Sequence, residues 1–303
     1  MNDSKEEKKI AGFIGLGDMG LSMALNLLKE GIDVIGFDLR DERMEKLREA
    51  GGRSATSPKE VGDASEAVFI MVMTGDQLYQ VVCGENGLLE SMKPNSTIIV
   101  TATVKPSEIK RIVEPARARS INLIDSPVSG GKGGADAGSL ALMASGQKSV
   151  WERNQVFMQA VGGKIFHVGD EVGMGQTVKA SLQALIGSTF TAIFESLVLG
   201  SKCGIKGQVL FDVFAASGVS SPLFKNCADL ILDRRFKETG SQIKTMYKDL
   251  GITMDLARQS GVSMFTTAAA QELFQAGISM FPEEDNWSIV KLLEGIAKTE
   301  VHR

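Results

Sequence analysis

Apolar and polar positions follow two regimes along this chain. In the first half, short apolar runs recur between stretches whose apolar residues fall at helical spacing. Residues 10–14 form the first such run and predict a strand. Residues 19–29 place Leu21, Ala24, Leu25 and Leu28 on one helical face, and Gly31 stops that helix. A second strand, 33–37, closes on Asp38. The rhythm continues with a helix at 43–50 and a continuous apolar strand at 67–73, of the kind buried on both faces. It then predicts a helix at 76–83, a strand at 97–100, a helix at 106–118 and a strand at 121–124. An apolar run at 140–144, a helix from about 149 to 161 and a strand at 165–168 complete this half. Strands alternating with helices imply a mostly parallel, doubly wound sheet.

After about Gly173 the strand signals cease. Residues 177–202 predict one long helix with Val178, Leu182, Leu185, Ile193, Leu197 and Val198 on its apolar face, and further helices are expected at 207–217, 222–232, 243–259, 265–276 and 287–297. The expected division is 1–172 for an α/β domain and 173–303 for an all-helical substrate and oligomerisation domain, joined by the long helix.

The first strand runs into Gly15-Leu16-Gly17-Asp18-Met19-Gly20. In the order strand, glycine turn, helix, strand, acid, this motif reads as a Rossmann-type dinucleotide site. Gly15 permits the tight turn, Gly17 lets the backbone approach a pyrophosphate, and Gly20 lets the helix lie close on the strand. The helix N-terminus offers N–H groups and the positive end of its dipole to the phosphates. Asp38, at the end of the second strand, is placed to accept the adenosine ribose hydroxyls and to repel a 2′-phosphate. NAD is therefore expected, with NADP as the alternative that Arg40 admits. Met73-Thr74, residues 101–103 and residues 126–131 fall at other strand ends, where ligands of such sheets sit; Met73 is grouped with the cofactor.

Composition narrows the chemistry. With 43% hydrophobic and 23% charged residues and a formal net charge of -4, the chain is that of a globular protein with no general pull toward nucleic acid or anionic membrane. No segment reads as membrane-spanning. The start, residues 1–9, is charged and lacks the apolar stretch of a signal peptide, so a cytoplasmic location is expected. Cys83, Cys203 and Cys227 are widely spaced and form no metal or redox pattern, and the 14 methionines read as core filler. Of the two histidines, His302 is penultimate and His167 sits in an alternating strand, so acid–base chemistry falls to another residue.

That residue is expected to be Lys179, near the start of the long helix in 175–183, with Gln183 one turn later on the same face. A free lysine titrates near ~10.4, so acting as a base requires burial or a neighbouring cation. Ser126-Pro127-Val128-Ser129-Gly130-Gly131 offers a hydroxyl and exposed N–H groups after a strand, a cradle for a carboxylate.

Taken together, residues 13–20, Thr103 with Pro106, residues 125–131, Gly175 to Lys179, and Lys248-Asp249-Leu250 resemble the β-hydroxyacid dehydrogenase family, the group of 3-hydroxyisobutyrate, tartronate semialdehyde and threonate dehydrogenases. The match runs through almost the whole chain in the family's order. The resemblance implies that Gly15, Leu16, Gly17, Asp18, Met19, Gly20, Asp38 and Thr103 contact the dinucleotide. It implies further that Ser129, Gly130 and Gly131 hold a substrate carboxylate, that Lys179 is the acid/base, and that Lys248 closes over cofactor or substrate. The partner is then a small carboxylate, the reaction a hydride transfer between NAD(P) and a small 3-hydroxy acid, and the assembly a homodimer or homotetramer. Many members carry two asparagines at the third and fourth positions after the lysine; here these are Leu182 and Gln183. Gln183 is reminiscent of the threonate dehydrogenase branch, which usually has histidine before it. Ser126 and Lys132 also bear on the pocket, Lys132 either favouring a second acidic group or standing solvated. Two rival readings are an imine reductase-like enzyme, which usually lacks the lysine, and a non-catalytic dinucleotide-binding scaffold.

Overall fold

In the computed structural model, which describes residues 9–303, the chain forms two units, Met1–Lys179 and Ala180–Arg303. The acidic and basic residues at 1–8, part of the charged start, lie outside the described residues. The first unit opens with β1 (Ile10–Ile14), α1 (Asp18–Lys29), β2 (Asp33–Phe37), α2 (Asp41–Glu49), β3 (Arg53–Ser54) and α3 (Pro58–Ala64). Then come β4 (Ala67–Ile70), α4 (Gly75–Cys83), β5 (Thr97–Val100), α5 (Pro106–Lys110), α6 (Val113–Ala118) and β6 (Asn122–Asp125). It closes with β7 (Val128–Ser129), α7 (Gly131–Asp136), β8 (Leu140–Ser145), α8 (Lys148–Arg153), α9 (Gln155–Val161) and β9 (Gly162–Gly169).

The sheet order is β3-β2-β1-β4-β5-β6-β8-β7, with β9 paired to β8. Strands β1 to β6 pair in parallel, as a doubly wound fold requires. β8 turns the edge antiparallel to β6 and β7. The register sets Phe37, Ile14, Ile70, Val100 and Asp125 side by side, so the loops after β2, β1, β4, β5 and β6 all emerge along one edge. All of β4 is buried, and its residues feed both faces: Phe69 stacks on Phe13, ring centroids 5.6 Å apart, on one side. On the other, Val68 and Ile70 join Leu78, Ile98 and Val100.

Two stretches read as single helices are each broken. Residues 106–118 divide into α5 and α6 because Pro115 lacks an N–H, a loss tolerated in a first turn and not in a helix interior. The stretch from about 149 to 161 divides at Asn154, whose buried amide donates to Thr97 Oγ1 at 3.1 Å and to the Val150 carbonyl at 2.8 Å. β3 and β7 are two residues each, too short to show a period.

Helix α10 (Met174–Lys202) begins three residues earlier than its apolar face alone predicts. Its start belongs to the first unit, which ends at Lys179. By length and composition α10 could cross a membrane, with a mean hydropathy of 1.5. Packing accounts for that apolarity: Phe190, Phe194, Leu197 and Val198 supply the core of the second unit. There they meet α11 (Gly207–Ala216), α12 (Pro222–Leu232), α13 (Ile243–Ser260), α14 (Phe265–Met280) and α15 (Ile289–Ala297). Gly261, left-handed at φ 70°, ends α13. Arg234 grips buried Glu294 with both guanidinium arms, and Glu294 accepts the Val301 N–H at 2.8 Å, which ties down the C-terminal segment.

Candidate active site

The glycine turn is shaped by contacts that exclude side chains. Gly15 adopts φ +88° and donates to the Phe37 carbonyl at 3.0 Å; a Cβ there would fall 2.3 Å from the Met71 carbonyl oxygen. A Cβ on Gly20 would lie 1.9 Å from the Gly15 carbonyl oxygen, so α1 can rest on the turn only without one. Gly17 is the N-cap of α1 and supplies no side-chain cap, and its surroundings are open, with only the Arg40 guanidinium near at 3.8 Å from a built Cβ. An uncapped N-terminus under an open glycine fits a pyrophosphate.

Asp38 is drawn to the same turn. Its Oδ2 accepts the Leu16 N–H at 2.7 Å, and its Oδ1 accepts the Arg40 N–H at 3.0 Å and Nε–H at 3.3 Å. A carboxylate offers about four acceptor sites, so Oδ2 keeps capacity for one further donor. Asp18 faces outward and pairs with Arg43 at 2.9 Å. Met19 is half-buried in the first turn of α1. Met73 follows β4, half exposed, and its N–H donates to Gln77 Oε1 at 2.9 Å beside the capping box of α4. Thr103 is half-buried in the loop between β5 and α5.

Ser129 ends β7, paired with Ala141. Gly130 and Gly131 follow at φ +138° and +61°, conformations that favour glycine, and Gly131 opens α7. α7 is fastened to α1, because Ser22 Oγ donates to Asp136 Oδ1 at 2.6 Å and Asn26 Nδ2 donates to the Ala135 carbonyl at 2.6 Å. The glycine turn and the Ser129 loop therefore open neighbouring helices. The Lys132 ammonium is paired with Asp136, and this bond, with that from Ser22, holds the Asp136 carboxyl below its ordinary range. Ser126 is fully buried and its hydroxyl has no hydrogen-bond partner among the described residues.

Lys179 lies in the second turn of α10 and is 7% exposed. The start of that helix is seated on Asp125, the last residue of β6, and its own Gln176 reaches the loop after β5; the sequence alone assigns neither a role. Both stand inside the family-like stretches, and the one legible signal was a carboxylate closing a strand otherwise bound for the core.

In the second unit, Gln183 is buried and its Nε2 donates to Asp249 Oδ2 at 2.6 Å. The Lys248 ammonium lies 3.0 Å from Asp249 Oδ1, an ion contact without hydrogen-bond alignment. No cluster of metal-binding side chains occurs among the described residues. The Cys227 thiol is buried and pushed well up by that burial.

A doubly wound sheet with an open glycine turn at its carboxyl edge defines a dinucleotide-binding enzyme fold. A family model described as the NAD binding domain of 6-phosphogluconate dehydrogenase matches residues 10–169. A second, the NAD-binding of NADP-dependent 3-hydroxyisobutyrate dehydrogenase, matches residues 173–293. The chain is 33% identical to 2-(hydroxymethyl)glutarate dehydrogenase of Eubacterium barkeri, over 97% of this chain and 98% of that one. It is 32% identical to L-threonate dehydrogenase of Cupriavidus necator, over 94% and 96% of the two chains. Among solved structures, 3-hydroxyisobutyrate dehydrogenase from Salmonella typhimurium superposes with a TM-score of 0.86 at 28% identity, covering 94% of this chain and 100% of that one. The chain belongs to the β-hydroxyacid dehydrogenase family and is an NAD(P)-dependent dehydrogenase of that class. An imine reductase from Myxococcus stipitatus, at 15% identity and a TM-score of 0.65, shares the fold alone.

The orphaned hydroxyl of Ser126 yields a prediction about stability. A buried hydroxyl without a partner costs about 1–3 kcal/mol, so Ser126→Ala should raise the thermal midpoint. A lowered midpoint would show that the hydroxyl has a partner in solution.

Proposed function

We propose that this chain interconverts a small 3-hydroxy acid and its carbonyl product, with Lys179 as the acid/base. The observation that carries the reading is a lysine buried near the start of α10, in a chain whose glycine turn and Ser129 loop stand on adjoining helices. When bound, the nicotinamide supplies the hydride acceptor or donor. Lys179 Nζ, neutral, would take the hydroxyl proton during oxidation; as ammonium, it would return that proton to the carbonyl oxygen during reduction. Ser129 and the N–H groups of Gly130 and Gly131 would hold the substrate carboxylate. The backbone of Gly15 to Gly20, with Asp38, Met73 and Thr103, would hold the dinucleotide, and Lys248 is assigned to the same role from the family pattern. NAD is the favoured cofactor because Asp38 places a charge where a 2′-phosphate would sit.

Gln183 stands where many relatives carry asparagine. Asp249 is a hydrogen-bond acceptor and takes the Gln183 amide N–H, so the Gln183 carbonyl oxygen is the end that would meet a substrate hydroxyl. This favours a sugar acid such as threonate over an aliphatic acid. The chain is inferred to work in the cytoplasm as a homodimer or homotetramer. Leu185 and Leu199, each 66% exposed on one face of α10, support self-association. Sedimentation equilibrium should return a multiple of the 32.5 kDa chain mass; a monomer at micromolar concentration would remove this part of the reading.

The direct test is Lys179→Ala. Turnover of the hydroxy acid should fall at least about a hundredfold, the range of general acid–base catalysis, while dinucleotide affinity changes little. Near-wild-type kinetics would take Lys179 out of the mechanism.

A further inference from the structure

Beneath the first turn of α10 lies a carboxylate that the reading above leaves without a part in the reaction. Asp125 is fully buried, and all four of its contacts are donors. Oδ2 accepts from Gly173 N at 3.0 Å, Gln176 N at 3.0 Å and Ser145 Oγ at 3.2 Å; Oδ1 accepts from Gln176 Nε2 at 2.7 Å. Ser145 Oγ in turn accepts the Gly175 N–H at 3.0 Å. The N–H groups that a helix start leaves without intrahelical partners are thus answered from the ends of β6 and β8. Gly175 makes the seat close: a Cβ there would fall 2.3 Å from the Met143 carbonyl oxygen and 3.0 Å from Asp125 Oδ2.

Gln176 extends the joint to the next strand end. Its Oε1 accepts the Val104 N–H at 3.0 Å, and its Nε2 donates to the Ala102 carbonyl at 2.9 Å as well as to Asp125. Its amide cannot turn over without setting like against like at both backbone groups. The acceptor-only Asp125 agrees with that one orientation, and the loop so gripped, 101–105, contains Thr103. Three residues after Gln176 along the helix is Lys179.

We propose that Asp125 is a positioning residue for the hydride-transfer reaction: through Gln176 and the first N–H groups of α10, its carboxylate fixes Lys179 relative to the Thr103 loop. The proposal rests on the reading of Lys179 as the acid/base.

Burial pushes the Asp125 carboxyl up from 3.8 to about 6, against the pull of the bonds from Gln176, Ser145 and Gly173. A folded-state value above the unfolded one means that the folded protein binds the extra proton. The contribution to stability is full below about 4 and is lost as pH rises to about 6. At neutral pH the ionised group therefore supports folding less than the protonated one does.

The test uses the full chain and the 3-hydroxy acid that the wild type oxidises, measuring kcat, KM, NADH affinity by fluorescence and the thermal midpoint. Asp125→Asn keeps the shape but sets an N–H against donors. A misplacement of about 1 Å costs about a hundredfold in rate. Asp125→Asn should accordingly lower kcat about 10- to 100-fold, with NADH affinity within about threefold and the loss of kcat exceeding any loss of folded protein. Gln176→Met, which leaves Asp125 in place, should lower kcat in the same way, and it decides the question if Asp125→Asn does not fold. Unchanged kcat, or activity lost only in step with folded protein, overturns the proposal. If Lys179→Ala is inactive while Asp125→Asn is unaffected, this proposal falls alone. If Lys179→Ala retains turnover, both fall.

Discussion

The seating of α10 on the carboxyl edge of the sheet is the constraint from which the first unit's chemistry follows. One carboxylate, from Asp125, collects the N–H groups of Gly173, just before α10, and of Gln176, within it, together with a serine hydroxyl and a glutamine amide. Because that glutamine also grips Val104 and Ala102, the ends of β5 and β6 and the start of α10 cannot shift separately. Removing one acceptor from a buried network leaves donors unpaired, which costs more than the lost bond itself. A lysine carried on such a helix has a defined place before any ligand arrives.

Close backbone approach is the second constraint. Gly20 against Gly15 and Gly175 against Met143 are contacts that no Cβ would permit. Each lets a helix start lie directly on a strand end: α1 with the glycine turn, α10 with Lys179. The strands beneath are mainly apolar because both sheet faces are covered, by the Phe13 and Phe69 layer on one side and the Val68 and Ile70 layer on the other. The rigid sheet thus holds both helix starts at the same edge.

Much of this was legible in the residues. The runs at 10–14 and 97–100 coincide with their strands and are buried apart from half-buried Ile10, because a parallel strand covered on both faces is mainly apolar. The glycine motif was legible because its spacing is dictated by sterics. The two-residue strands β3 and β7 carry no period, and the breaks at Pro115 and Asn154 turn on a missing N–H and on a tertiary bond to Thr97. The seat of α10 was hidden for a related reason. Asp125 and Gln176 are 51 positions apart, and only the fold brings them together. Nor did periodicity show that Asp38 would spend acceptors on Leu16 and Arg40.

What the chain acts on is the question that these constraints sharpen. Family membership establishes a hydroxyacid dehydrogenase, and leaves its substrate to residues such as Leu182 and Gln183. The most direct measurement is initial-rate formation of reduced nicotinamide from a panel of 3-hydroxy acids, polyhydroxylated and aliphatic, with NAD and with NADP. The account predicts the highest kcat/KM for a polyhydroxylated acid with NAD. Preference for NADP would contradict the role given to Asp38, preference for an aliphatic acid would contradict that given to Gln183, and no oxidation of any 3-hydroxy acid would contradict the proposed reaction itself.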